Sequence, residues 1–450
     1  MTKFKAEYQS KLITPAEAAG MVKSGYTVDL YGYSSAGRAL DSALAKRVGE
    51  LKDVTIRTII AFHPYYETMK ADPGGVSFHY ETWFHDAMTR RDPHPNNIAL
   101  IANTLYEMPA IYRHGHVKND VCSFRVAPMD EDGYFSFGMS SVSQKAAVDS
   151  AGCFIAEIDH GLFPPKNVHP ESRVHISEID YIIDEGKSYE YVFFPDPVPG
   201  ELDKKIARYV ARELVDGNCF QIGVGNVSQA VIQIISEMGL KDLGVHTEMF
   251  TDGLMNLYNK GNINCRRKNI DKGKMVTTFA AGSREMYDFV RECDDLIIAP
   301  VDYTNNINVI GQIDNFMSIQ ACLEIDLQGQ MNSESIGPRS ISGTGGQLDF
   351  VFGAYRSKGG KSIICCPSTY KKKDGSIGSK ILATLPTGAT VTTPKSAVNY
   401  VCTEYGMINL KGQNTWGKAE MLISIAHPDF REDLIKEAEK MGLWRRSNKL

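Results

Sequence analysis

Glu248 stands in the run Val245-His246-Thr247-Glu248-Met249-Phe250, where an apolar stretch with strand character is ending. A glutamate has an unperturbed pKa of about 4.3, so at neutral pH it is ionised without a helper base and can attack a carbonyl directly. An isolated glutamate is most often a solvated surface residue. The apolar Met249 and Phe250 beside this one argue for a sheltered place. His246, two residues earlier, shares one face of a strand with Glu248 and either tunes the carboxylate or simply packs.

A carboxylate is a weak nucleophile, and the tetrahedral intermediates it forms need preorganised N–H donors. Gly223-Val224-Gly225-Asn226 joins a strand to a helix, where small residues let backbone amides approach an anion or serve only as a tight corner. Gly343-Thr344-Gly345-Gly346-Gln347 is a second such loop. Ser357-Lys358-Gly359-Gly360-Lys361 sets lysines beside glycines, which suits phosphate contacts or a solvated turn.

Other chemistries lack their residues. Ser228 occupies the third glycine position of a dinucleotide fingerprint, and no Lys-Ser/Thr follows Gly345-Gly346 as a P-loop requires. There is no G-x-S-x-G elbow and no H-E-x-x-H zinc site. His114 and His116 have no neighbouring ligand cluster, and the nine cysteines include no C-x-x-C pair. No metal site is expected, and free thiols in a reducing compartment are.

The elements that position these residues read as a duplication. Each copy has an amphipathic helix (15–23; 203–215), then Gly25 or Gly217 as its cap, then a short apolar strand (28–31; 219–222). A small-residue turn and a second apolar-periodic helix follow: Leu40, Leu44 and Val48 in one copy, Val231, Ile234 and Ile235 in the other. Both copies then reach Leu-Lys-Asp, at 51–53 and 240–242, and another strand. This is a β-α-β crossover, so the expected fold class is α/β, with two related domains of mainly parallel sheet flanked by helices. The proline-rich run 194–200 sets the expected boundary, giving domains 1–196 and 197–450. The tract 370–380, YKKKDGSIGSK, reads as an exposed loop.

The 450 residues are enough for two domains with substantial cores. A net charge of −5 argues against a nucleic-acid binder. The N-terminus lacks the apolar core of a signal peptide, and no run of 18 apolar residues occurs, so a soluble cytoplasmic protein without membrane contact is expected.

The segments GVGN, LGVHTEMF, PVDYTNN, GTGGQLDF, SKGGKSII, CTEYG and SIAHPDFR occur in this order. In that order the chain resembles the acetyl-CoA hydrolase/transferase family from about Tyr8 to Met441, and within it the butyryl-CoA:acetate and 4-hydroxybutyrate CoA-transferases. The resemblance implies two tandem CoA-transferase domains and a homodimer or homotetramer. It implies acyl-CoA and short-chain carboxylates as substrates, with no cofactor beyond CoA. It makes Glu248 the nucleophile that carries a glutamyl-CoA thioester. Ile222, Gly223, Val224, Gly225 and Asn226 would contact CoA, with the Val224 amide in an oxyanion hole. Gly346 would supply a further backbone contact, Lys358 would bind CoA, and Asn305, with Asn306 adjacent, would polarise the thioester.

Overall fold

The computed structural model describes residues 3–62, 65–91, 97–194, 196–223 and 225–448. The chain forms two compact units, one of residues 1–194 with 276–304, the other of 195–275 with 305–450. The sequence placed 276–304 in the C-terminal domain. By its contacts it groups instead with the first unit, where part of its pairing lies. Ile297 and Ile298 pair in parallel with Asn167 and Val168. The Ser141 amide donates to the Thr278 carbonyl, and the Ala280 amide to that of Met139.

The first unit is built on seven strands: β1 Thr27–Tyr33, β2 Val54–Ala61, β3 Phe78–Thr82, β4 Ile98–Leu100, β5 Val121–Val126, β6 Phe154–Ile158 and β7 Tyr181–Ile183. Their order is β7-β6-β5-β1-β2-β3-β4, with parallel pairing throughout. β1 is buried along its whole length, as a central parallel strand must be.

In the second unit the strands are β8 Cys219–Ile222, β9 Gly244–Phe250, β10 Phe316–Ala321, β11 Lys361–Cys365, β12 Tyr400–Thr403 and β13 Gly406–Asn409. They run in the order β13-β12-β11-β10-β8-β9, parallel except for the terminal hairpin β12–β13. The carboxyl ends of β8 to β11 therefore share one edge of the sheet, where ligands of open α/β sheets bind.

The two copies match in detail. Helix α1, Pro15–Met21, precedes β1; α2, Ala39–Leu44, follows it; and α3, Glu201–Ala211, and α4, Asn226–Met238, flank β8 in the same way. Gly25 donates its amide to the Lys52 carbonyl, and Gly217 to that of Lys241. Asp53 and Asp242, which end the two Leu-Lys-Asp triplets, both take the left-handed conformation at φ 55° and 57°. The two glycines, at φ 77° and 85°, are not helix caps as expected. The helices end earlier, at Met21 and Ala211, and the glycines make the turn into each strand. Tract 370–380 contains a short antiparallel ladder, Thr369–Lys371 with Ile377–Ser379, rather than a plain loop.

Helix α5, Gln347–Arg356, covers β10. Phe350 lies parallel to Phe316 with ring centroids 6.2 Å apart, and both are buried. Burying an aromatic of this size stabilises by roughly 1.5–3 kcal/mol. Gly353 lets the helix close on Ile310, since a Cβ there would collide with that side chain. This packing fixes where the first turn of α5 sits.

Candidate active site

Glu248 lies near the carboxyl end of β9. The pairing Phe220–Val245 puts Ile222, the last residue of β8, level with Thr247. His246 shares Glu248's face and is fully buried, its ring edge-on to Phe316 at 6.3 Å. It packs under the start of β10.

Asn305 and Gly346 both donate to the Glu248 carboxylate. Asn305 Nδ2 donates to Oε2 at 3.0 Å, and the Gly346 amide donates to the carboxylate as well. Asn305 is fully buried and follows the short helix Val301–Thr304. Its neighbour Asn306 instead caps the next turn, accepting the Asn308 amide at 2.9 Å. Asn305 is thus a direct partner of Glu248.

Gly346 is the residue before α5, with φ −91° and ψ 5°. This is an ordinary conformation, so the demand for glycine here is steric. A Cβ would stand closer than 3.0 Å to both Glu248 Oε2 and Asn305 Nδ2. The loop's flexibility is used one residue earlier, where Gly345 has φ 57°.

Burial pushes the Glu248 pKa above the usual glutamate value, and the hydrogen bonds from Asn305 and Gly346 oppose that rise. The residue as a whole is half-buried, and its carboxyl group is desolvated. A raised folded-state pKa means that ionising Glu248 costs stability above that pKa, and that the cost vanishes below the unfolded value. Glu248→Gln is therefore expected to melt at or above the wild-type temperature at pH 7–8. The gap should close as pH falls toward about 4. Differential scanning fluorimetry across pH checks this.

The sequence-expected residues do not all converge. Gly223 donates its amide to the Ile319 carbonyl at 2.9 Å, which ties the corner after β8 to β10. Gly225, at φ 119°, precedes α4, and Asn226 is the first residue of that helix; both are exposed. Val224 lies outside the described residues. Lys358 is exposed and follows the far end of α5. The ten residues of that helix carry it about 15 Å from Gly346, to the edge where β11 begins. There the Lys358 carbonyl accepts the Asn315 amide, just before β10. Lys358 and Glu248 are not brought together.

Asp349 was not anticipated. It sits in the first turn of α5, is buried, and accepts from Asn305 Nδ2 at 3.3 Å. Only its acidic type, three residues after Gly346, hints at it in the sequence.

No group of three or more His, Cys, Asp or Glu able to hold a metal occurs among the described residues. No described helix is long and apolar enough to cross a membrane. All nine cysteines are free thiols, eight of them buried.

The acetyl-CoA hydrolase/transferase N-terminal domain model matches residues 1–191, and the C-terminal domain model of the same name matches 282–438. The chain is 44% identical over 445 residues to a probable butyrate:acetyl-CoA coenzyme A-transferase of Syntrophomonas wolfei, covering 99% of this chain and 98% of the relative. It is 42% identical over 449 residues to a butyryl-CoA:acetate CoA-transferase of Anaerostipes caccae, covering 99% and 100%. Among solved structures, RipA from Yersinia pestis superposes with a TM-score of 0.86 at 32% identity, covering 98% of this chain and all of that one.

Proposed function

The chain belongs to the acetyl-CoA hydrolase/transferase family, and from that premise we propose that it exchanges CoA between a short-chain acyl-CoA, butyryl-CoA first, and acetate. It is an enzyme of the CoA-transferase class, acting on acyl-CoA and short-chain carboxylates. The observation that carries the mechanistic reading is the enclosed Glu248 carboxylate held by Asn305 and Gly346 at the sheet's carboxyl edge.

In this reading Glu248 Oε1 attacks the acyl carbonyl, and the C–S bond breaks to release CoA thiolate. The product is an acyl–glutamyl anhydride. The thiolate then attacks Glu248 Cδ, expelling the first carboxylate and leaving a glutamyl-CoA thioester. Oε2, on which the Asn305 amide sits, is the oxygen that gathers negative charge as Cδ becomes tetrahedral. An incoming carboxylate reverses both steps. The corner 222–226, Val224 included, would border the thioester, and Lys358 would meet a more distant part of CoA. No cofactor beyond CoA is needed. A homo-oligomer in a reducing cytoplasm completes the reading, and the free thiols suit that compartment.

Butyryl-CoA is incubated with the enzyme with and without acetate, and free thiol and acetyl-CoA are measured. A transferase makes acetyl-CoA only with acetate and releases little thiol. Thiol release at the same rate without acetate would make the protein a hydrolase. Borohydride trapping after acyl-CoA addition, followed by peptide mass spectrometry, should find the modification at Glu248. An unmodified Glu248 would overturn the covalent route.

A further inference from the structure

Asn305 has one amide nitrogen and two carboxylates competing for it. Nδ2 donates to Glu248 Oε2 at 3.0 Å and to Asp349 Oδ2 at 3.3 Å, which uses both of its hydrogens. The other end of the same amide, Oδ1, is buried and accepts from none of the described residues. Among them, the orientation of Asn305 is set by its two carboxylate partners and not by a donor to its oxygen.

The two partners differ in permanence. While Glu248 is ionised, its charge alone would keep Nδ2 facing it. Once Glu248 is part of an anhydride or thioester, it is a neutral carbonyl and a weaker acceptor. At that stage the reaction most needs an N–H aimed at the glutamyl oxygen. Asp349 is chemically unchanged throughout the cycle, is 2% exposed, and is anchored in the first turn of α5 beside Gly346.

We propose that Asp349 is a positioning residue that keeps the Asn305 amide turned toward the glutamyl carbonyl after Glu248 has lost its charge. The role rests on Glu248 being the nucleophile, and it predicts slowing of every step that makes Cδ of Glu248 tetrahedral. Those steps are closure of the anhydride to the glutamyl-CoA thioester and attack of the acceptor carboxylate on that thioester, so both halves of the exchange should slow without Asp349 while the fold is kept.

A purely structural role is the alternative. An acidic side chain in the first turn of a helix also favours the helix N-terminus. Such a role would lower the melting temperature, and restoring an acceptor at this position would not restore the rate.

Two variants separate these cases. Asp349→Asn keeps an oxygen that can accept from Nδ2, whereas Asp349→Leu keeps the approximate size and removes every acceptor. The glutamyl-CoA adduct is followed by rapid quench and intact-protein mass spectrometry, first on mixing with butyryl-CoA, then on adding acetate. Asp349→Leu should form and discharge the adduct each roughly 10–100-fold more slowly at an unchanged melting temperature, the scale of a misdirected oxyanion donor. Asp349→Asn should recover most of that loss. Wild-type discharge in folded Asp349→Leu would overturn the proposal. So would slowing that comes with a lowered melting temperature, or equal damage in the two variants. Absence of any adduct in the wild-type enzyme would instead remove the covalent reading itself, so the two failures are distinguishable.

Discussion

Glu248→Ala is expected to abolish CoA exchange, with kcat/KM falling by roughly 10⁴-fold or more while the protein still folds. The size of the effect follows from the proposed mechanism, in which no step of the ping-pong exchange can start once the attacking carboxylate is gone. Folding should survive because the lost side chain is a desolvated carboxylate whose ionisation costs stability, as its raised pKa records. Glu248→Asp tests geometry separately. The shorter arm withdraws the carboxylate from Asn305 and Gly346, and a displacement of about 1 Å in a reacting group can cost about 10²-fold. Coupled assays of acetyl-CoA formation, with circular dichroism as the folding control, check both. Exchange at the wild-type rate in purified, folded Glu248→Ala would end the mechanism.

Gly346→Ala is the second large effect. The backbone there has φ −91° and ψ 5°, which alanine adopts readily, and the amide donor is retained. The new methyl, however, occupies space that Glu248 Oε2 and Asn305 Nδ2 already fill. The carboxylate and its donor must separate, and a loss of about 10²–10³ in kcat is expected. Stability should fall by about 1–3 kcal/mol, the usual cost of overpacking a filled site, so kcat is compared at a temperature where the variant is fully folded. The two lesions also interact. In Glu248→Asp the carboxylate has already retreated from the methyl's position, so the double variant should lose less than the product of the single losses. Strict multiplicativity of the measured kcat/KM values would argue against a clash at Glu248.

The sequence made the strand end at Glu248 and the duplicated β-α-β units readable, because both rest on local periodicity and turn chemistry. The matched Gly25–Lys52 and Gly217–Lys241 hydrogen bonds show why the Leu-Lys-Asp triplets recur. Each triplet closes the same turn in its own copy. Less legible was anything set by long-range packing. Asp349 looks like any acidic residue in a helix's first turn, and only the placement of Asn305 beside it reveals a use. Lys358 lies in a glycine loop soon after Gly346 in the sequence, yet a ten-residue helix separates the two in space. The assignment of 276–304 depends on pairings with residues more than a hundred positions away, which no local pattern encodes.

That interrupted segment has a consequence during synthesis. Emergence of the first 194 residues from the ribosome does not complete the first unit, because its last portion is made only after residues 195–275. Until then Tyr33 and Phe62 lack Phe279, whose ring centroid finally rests 4.7 Å from that of Tyr33 and 6.3 Å from that of Phe62. The nascent chain therefore carries an uncovered aromatic surface for as long as about eighty further residues take to translate, several seconds at roughly 5–20 residues per second. A chaperone that holds apolar patches would find its target in that interval, and an expression fragment cut at residue 194 would keep the patch permanently.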